Sequence, residues 1–274
     1  MEKISKAQVK FVRSLQLKKV RDAEGLFVAE GEKCVEELRR GFELVSLYRE
    51  GENATRTEIE QMSSLKTPQG VIGVFKKNGG LMNGDAAKPL NGGMMQDGLI
   101  LVLDGVQDPG NLGTIIRTCD WFGVHEIVCS KDTADCYNPK VVQATMGALA
   151  RVNLRYLDLV EWLGKPLPAS PEGKEVNIHI YGTLLDGKNM YEVIQTGLRP
   201  DRPATPDRPA TPDRVQTVII MGNEGNGISA AVRKFITDPI YIPTYPNKET
   251  SDVVESLNVS IATAIVLAEF RRPR

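Results

Sequence analysis

Three stretches of this sequence set chemically capable side chains just beyond short apolar runs. In residues 101–123, Leu101-Val102-Leu103 leads through Asp104, Gly105, Gln107, Asp108, Pro109, Gly110 and Asn111 into a segment with Ile115, Ile116, Cys119 and Phe122 on one helical face. That spacing puts Arg117 with Thr114 and Trp121 on another face, near a helix N-terminus, where anions are favoured and a guanidinium suits a phosphate. A surface cation and two turn-capping acids are the plain alternatives for Arg117, Asp104 and Asp108, and Asn111 is equally a good turn residue. In residues 218–229 an apolar strand ending at Met221 enters Gly222-Asn223-Glu224-Gly225-Asn226-Gly227, whose glycines allow close approach of backbone to a ligand. The spacing is not the dinucleotide-binding G-x-G-x-x-G, and a tight strand-to-helix turn also explains the glycines. A carboxylate in mid-loop, Glu224, is suited to meeting a cation or a hydroxyl. The third stretch runs from Ile240-Tyr241-Ile242-Pro243 through a polar loop to Ser256-Leu257-Asn258 and an apolar helix, with Ser256 the expected N-cap. Core packing explains the apolar positions of that helix but not polar Ser256 and Asn258 at its start, which is expected to be buried.

Elements that could position these residues follow from the periodicity. The C-terminal half reads as strands at 99–103, 125–129, 176–181, 217–221 and 239–242, alternating with helices at 113–122, 139–149, 188–195, 229–236 and 256–271. Such alternation predicts an α/β fold with a mostly parallel sheet covered by helices, whose ligands bind beyond the carboxyl ends of the strands. The final helix is apolar nearly all round, which predicts burial by its own domain and by a partner subunit. The first 76 residues read as a smaller α/β unit with strands at 25–31, 44–48 and 70–75 and a helix at 32–40. Residues 1–21 read as one basic, partly amphipathic helix carrying Lys3, Lys6, Lys10, Arg13, Lys18, Lys19 and Arg21 against the single acid Glu2. A solvated surface helix and a nucleic-acid contact are both open for it.

Residues 78–98 hold six glycines and one proline without apolar period, the composition of a flexible linker. Within 199–214, Asp201-Arg202-Pro203-Ala204-Thr205-Pro206 is repeated as Asp207-Arg208-Pro209-Ala210-Thr211-Pro212, which predicts a disordered, extended insertion. The division expected is thus residues 1–77, a linker at 78–98 and a second domain at 99–274. Net charge is −1 from 34 basic and 35 acidic residues, so bulk charge alone does not hold nucleic acid. No apolar run reaches the ~20 residues of a membrane span and no secretory leader is read at the N-terminus, so a cytoplasmic location is expected. Cys34, Cys119, Cys129 and Cys136 form no C-x-x-C pair and only His125 and His179 could assist them, so buried reduced thiols are expected and no metal site.

Taken together, residues 108–118, residues 221–228, and Ile242-Pro243 with residues 256–260 resemble, in order, the three motifs of the SpoU/TrmH family of RNA ribose 2′-O-methyltransferases in the SPOUT superfamily. Residues 1–76 also resemble the L30e-like RNA-binding domain found in that family, through Phe27-Val28-Ala29-Glu30-Gly31 and Lys66-Thr67-Pro68-Gln69-Gly70. The loop 244–255 is longer than usual there and the proline-rich repeat is foreign to it. The resemblance implies a SPOUT domain with a deep trefoil knot, a homodimer joined through it, and S-adenosyl-L-methionine as methyl donor. It implies donor contacts at Thr183, Leu184, Met221, Gly222, Asn223, Gly227, Ile242, Pro243, Ser256 and Leu257, and a catalytic set of Arg117, Asn111, Glu224 and Asn258. It further implies that Lys6, Lys10, Arg13, Lys18, Lys19 and Arg21 meet a structured RNA, ribosomal in preference to transfer RNA. A non-catalytic RNA-binding protein of the L30e kind and another nucleotide-dependent enzyme on a doubly wound sheet are the rival readings.

Overall fold

Helix formation begins where a serine and a glutamine each serve one orphan amide. Ser5 Oγ accepts from the Gln8 backbone N–H at 3.2 Å and the Gln8 side chain accepts from Ser5 N at 2.8 Å, a reciprocal cap that starts α1 (Lys6–Ser14). The computed structural model describes residues 4–78, 99–165, 177–196, 215–245 and 256–272. Beyond its first residue the linker expected at 78–98 lies outside these, as do the insertion at 199–214 and residues 246–255 of the long loop.

The single basic helix expected over 1–21 is in fact two, α1 and α2 (Lys18–Glu24). Leu15 is fully buried at the break, and the carbonyls of Leu15 and Gln16 accept from the Arg21 guanidinium at 3.0 and 2.7 Å instead of extending a helical ladder. Gly25, left-handed at φ 67°, ends α2. There follow β1 (Leu26–Glu30), α3 (Glu32–Leu38), β2 (Leu44–Arg49), α4 (Arg56–Met62) and β3 (Val71–Lys76). The three strands form an antiparallel sheet in the order β1-β3-β2, with Phe27 opposite Phe75 and Leu47 opposite Gly73. Strand alternation sends Val28, Ile72 and Val74 to one face, where Val9, Val12, Leu15, Ile59 and Met62 cover them. α4 comes in addition to the elements expected from periodicity, although Thr55 and Glu58 form a capping box that announces it.

In chain order the remaining elements are β4 (Leu99–Leu103), α5 (Pro109–Trp121), β5 (Glu126–Ser130), α6 (Pro139–Thr145), β6 (Asn153–Leu157), α7 (Leu159–Leu163), β7 (Asn177–Asn189), α8 (Met190–Thr196), β8 (Val215–Met221), α9 (Ala230–Arg233), β9 (Asp238–Tyr241) and α10 (Val259–Phe270). The chain forms two compact units: Met1–Asn83 with Asp108–Asp120 and Ala134–Asn153, and Gly84–Gln107 with Trp121–Thr133 and Leu154–Arg274. In the first unit α6 packs on β1, Tyr137 lies 4.8 Å from the Phe27 ring, and Asp135 pairs with Arg21. Left-handed Met146 and Gly147 stop α6 short of the expected 149, and a 3₁₀ turn at Ala148–Ala150 follows.

The second unit is built on a six-stranded sheet in the order β6-β5-β4-β8-β7-β9. β4 runs parallel to β5 and β8, and β7 runs parallel to β8 and β9, so the mostly parallel α/β sheet expected is what forms. All five residues of β4 are buried, as a strand covered on both faces requires. Ile100, Val102, Val128, Leu159, Leu163, Val218, Ile220 and Val232 make one core of this unit. β6 and α7 were not read from the sequence, because their five-residue runs carry little periodic signal. Among the described residues no helix is long and apolar enough to cross a membrane.

Candidate functional site

Since β4, β8, β7 and β9 are neighbours or next neighbours pointing the same way, their carboxyl ends share one edge of the second unit. Leu103 aligns with Met221, Gly182 with Ile220, and Thr183 with Ile240, which brings Asp104, Gly222, Thr183 and Ile242 to that edge. Thr183 Oγ1 donates to Ile220 O at 3.4 Å. Thr183 and Lys188 both align with Ile240, so Leu184, Leu185, Asp186 and Gly187 stand out of register, with Leu185 exposed and Asp186 paired to Arg233. Ile242 and Pro243 follow β9 half-buried.

The turn after β8 folds on itself. Asn223 N donates to Gly227 O at 2.9 Å and Gly227 N returns a bond to Asn223 O at 3.0 Å. A side chain on Gly222 would stand 2.2 Å from the carbonyl carbon of Gly227, so glycine is needed here for the loop to close on its own backbone. The turn after β4 is tied to it. Asp104 N donates to Met221 O at 2.9 Å, Ser229 N donates to Asp104 Oδ2 at 2.7 Å, Asn223 Nδ2 donates to Gly105 O at 2.7 Å, and Gln107 N donates to Glu224 Oε2 at 3.4 Å. Ser130 Oγ accepts from Gly105 N at 2.8 Å and lies 2.9 Å from Thr133 Oγ1, which donates to Leu103 O at 3.3 Å. Asp104 and Gln107 of the first stretch, together with Ser130, Thr133 and Ser229, to which the sequence pattern assigns no role, thus hold this edge. A strand ending in Asp104-Gly105 was the signal available.

At the third stretch the N-cap of α10 is Asn258 and not Ser256, and the helix starts at Val259. Asn258 Oδ1 accepts from Ser260 N at 2.9 Å, Ile261 N at 3.4 Å and Ser260 Oγ at 2.6 Å, whereas Ser256 stands too early in the chain to reach the amides of the first turn. Ser256, Leu257 and Asn258 are exposed.

In the first unit, Asp108 Oδ1 accepts from Asn111 N at 2.8 Å at the start of α5. Leu112, Ile115, Ile116 and Cys119 are buried on α5, while Thr114 and Arg117 are exposed and Asn111 is half-buried. A side chain on Gly113 would stand 2.5 Å from Ala144 Cβ, so this glycine permits close packing of α5 on α6. Lys6, Lys10, Arg13, Lys18 and Lys19 are exposed along α1 and α2. Arg21 is not among them: it is 1% exposed, pairs with Asp135 at 2.6 Å and is a structural cation. All four cysteines are buried and none is in a disulfide. Burial pushes the Cys34 thiol up to about 11 and the Cys119 thiol well above the ordinary thiol range, so neither is a nucleophile near neutrality.

The charge of the second unit's edge is specific. Its turns carry Asp104, Asp132, Asp186 and Glu224 against Lys131 and Lys188, and the nearby Arg233 is committed to Asp186. Acids and backbone amides suit a neutral nucleoside joined to a cation, while a phosphate-bearing nucleotide would call for basic groups.

Comparisons with known proteins agree with this geometry. The family model of the SpoU rRNA Methylase family matches residues 98–268, and that of the MRM3-like substrate binding domain matches residues 6–57. The 23S rRNA (guanosine(2553)-2'-O)-methyltransferase of Bacillus subtilis is 30% identical over 63% of this chain and 57% of its own length. Other curated relatives are covered over 59% and 52% of their length, so the chain spans under two thirds of such relatives. A structure from Porphyromonas gingivalis ascribed to the TrmH family is 34% identical, with a TM-score of 0.70 over 98% of each chain. The AdoMet-bound rRNA methyltransferase from Sinorhizobium meliloti is 27% identical, with a TM-score of 0.73 over 99% of this chain and 97% of that one. With more than half of its length matched by one family model, the chain belongs to the SpoU rRNA methylase family.

Proposed function

We propose that the chain transfers a methyl group from S-adenosylmethionine to a ribose 2′-hydroxyl of ribosomal RNA. The observation that carries this reading is the edge made by the turns after β4, β5, β7 and β8, whose four acids outnumber Lys131 and Lys188 and whose chemistry fits adenosine linked to a sulfonium better than a nucleotide phosphate. Family membership supports it, as does the named activity of the Bacillus relative. When bound, S-adenosylmethionine supplies a methyl carbon on a positively charged sulfur, open to in-line displacement by an oxygen. The chain's part is then chiefly to hold and orient. Thr183, Leu184, Met221, Gly222, Gly227, Ile242, Pro243 and Leu257 hold the donor through backbone groups, with Asn223 and Ser256 beside them. Arg117 is effectively always protonated and serves as the anchor of a substrate phosphate, not as a base. Asn111 and Asn258 orient the ribose, and Glu224 is the one of these four residues whose side chain takes up a proton.

This reading includes an L30e-like RNA-binding domain at 1–77 and a methyltransferase domain at 99–274 threaded as a trefoil knot, acting as a cytoplasmic homodimer through the latter. Leu257 and Ile261, each 51% exposed at the start of α10, favour a second copy. Lys6, Lys10, Arg13, Lys18 and Lys19 meet phosphates. Calorimetry with S-adenosylhomocysteine, NAD and ATP should show binding of the first alone, and labelled methyl should pass to the ribose of unmodified 23S rRNA. Arg117→Lys should then lower turnover about tenfold or more, because a point cation cannot replace a planar two-pronged donor. Binding of NAD or ATP in its stead, or label on a base, would overturn the reading. RNA binding with no affinity for S-adenosylhomocysteine would return the chain to a non-catalytic role.

A further inference from the structure

We infer that Asn223 is a positioning residue: its amide locks the turn after β8 to the turn after β4 and so fixes the carboxylate of Glu224. Both ends of the side chain are occupied inside the protein. Oδ1 accepts from Gly225 N at 2.9 Å and Asn226 N at 3.0 Å, and Nδ2 donates to Gly105 O at 2.7 Å. The same residue closes the turn through its backbone bonds with Gly227. A side chain engaged in this way is poorly placed to be a ligand for a cofactor as well, since its oxygen and one N–H are already used and it is half-buried. What it controls is its neighbour. Glu224 follows it directly at the exposed tip of the turn, and Glu224 Oε2 accepts from Gln107 N at 3.4 Å. Gly105 is the other anchor: its N–H is held by Ser130, its carbonyl by Asn223, and its φ of 76° is the left-handed backbone that glycine adopts without strain. A carboxylate on a long side chain at a loop tip has several rotamers, and a group meant to act on one hydroxyl loses effect when it is misplaced by an ångström. Tying the side chain of the preceding residue to Gly105 and the Glu224 oxygen to Gln107 removes much of that freedom.

The inference rests on the methyl-transfer reading, and two variants test it. Asn223→Ser keeps a short acceptor for the amides of the turn but cannot reach Gly105. Asn223→Asp keeps Oδ1 but sets a second oxygen against the Gly105 carbonyl, where a donor stood. With labelled S-adenosylmethionine and unmodified 23S rRNA, both should lose about tenfold or more in kcat with KM for the donor within about threefold, the Asp variant losing more. In a Glu224→Gln background, Asn223→Ser should cost less than about threefold further, because the residue acts through the carboxylate. Weaker binding of S-adenosylhomocysteine with kcat unchanged would make Asn223 a donor ligand, and equal losses in both backgrounds would make it a general stabiliser; either overturns the inference. Hydrogen exchange gives a readout independent of the RNA chosen. In Asn223→Asp, amides 105–107 and 224–227 should exchange faster together, and unchanged exchange at 105–107 overturns the inference even if wild-type protein methylates a different RNA. A wild-type protein that neither binds S-adenosylhomocysteine nor transfers methyl refutes the functional reading instead.

Discussion

Arg21 and Arg117 are the same residue put to different uses by their surroundings. Arg117 is exposed on α5, where an arginine is available to a ligand. Arg21 gives hydrogen bonds to two carbonyls at the α1–α2 break and a charge-assisted bond to Asp135, with side-chain exposures of 2% and 6% for the pair. Removing one member of such a pair leaves the other charged and buried, which costs about 3–5 kcal/mol. Arg21→Met should therefore lower the unfolding free energy in denaturant titrations by about that amount, while the RNA affinity of the folded protein stays unchanged. A loss below about 1 kcal/mol would show that the ion pair does not join residues 134–153 to the first helices. Little of this was legible in the sequence. Arg21 sits in a run of cations and looks like one more of them, and its partner lies 114 positions away. The glycines and Glu224 of the β8 turn were legible as a motif. That Gly222 answers to its own loop, and Asn223 to a carbonyl 118 positions back, was not, because pattern reports which residues occur together and not which atoms they meet.

Elements with strong period or strong punctuation were legible; short ones were not. β4 and β8 read directly as apolar runs, and α10 as an apolar helix, but α4, β6 and α7 have five to seven residues and too few turns for a period to stand out. The start of α10 was misread for a definite reason: Ser256 and Asn258 are both good caps, and only backbone geometry chooses between them. That choice gives Asn258 a structural job, seen in its bonds to Ser260 and Ile261, beside the chemical one proposed for it. The two can be separated. Asn258→Asp keeps the capping oxygen and should melt close to wild type, yet it replaces a donor amide by an anion and should lose about tenfold or more in turnover. Asn258→Ala should lose the turnover and also about 1 kcal/mol of stability. If the Asp variant turns over normally, Asn258 serves α10 alone.

At the scale of the molecule, near-neutral net charge hides an uneven distribution. The chain totals −1, yet Lys6, Lys10, Arg13, Lys18 and Lys19 stand exposed within fourteen positions of the first unit, while the second unit gathers four acids at the carboxyl edge of its sheet. The α/β class and the family were legible because the motif strings fall at strand ends, where a parallel sheet puts its chemistry. The grouping of Asp108–Asp120 and Ala134–Asn153 with the first unit was not, since it depends on packing such as Gly113 on α6 and Tyr137 on Phe27. The uneven charge separates two kinds of binding. S-adenosylhomocysteine, a thioether nucleoside of zero net charge, has little to gain from counterion release, whereas RNA held by lysines and arginine releases condensed cations, and log K then falls by about 0.7–0.9 per unit log salt for each phosphate neutralised. RNA affinity should accordingly fall steeply between low and moderate salt while S-adenosylhomocysteine affinity barely moves. Lys6→Gln, Lys10→Gln and Lys19→Gln combined should flatten the RNA slope by about two to three and leave S-adenosylhomocysteine binding as it was. A slope unchanged by the triple substitution would mean that these lysines are solvated surface and that the RNA is held elsewhere on the chain.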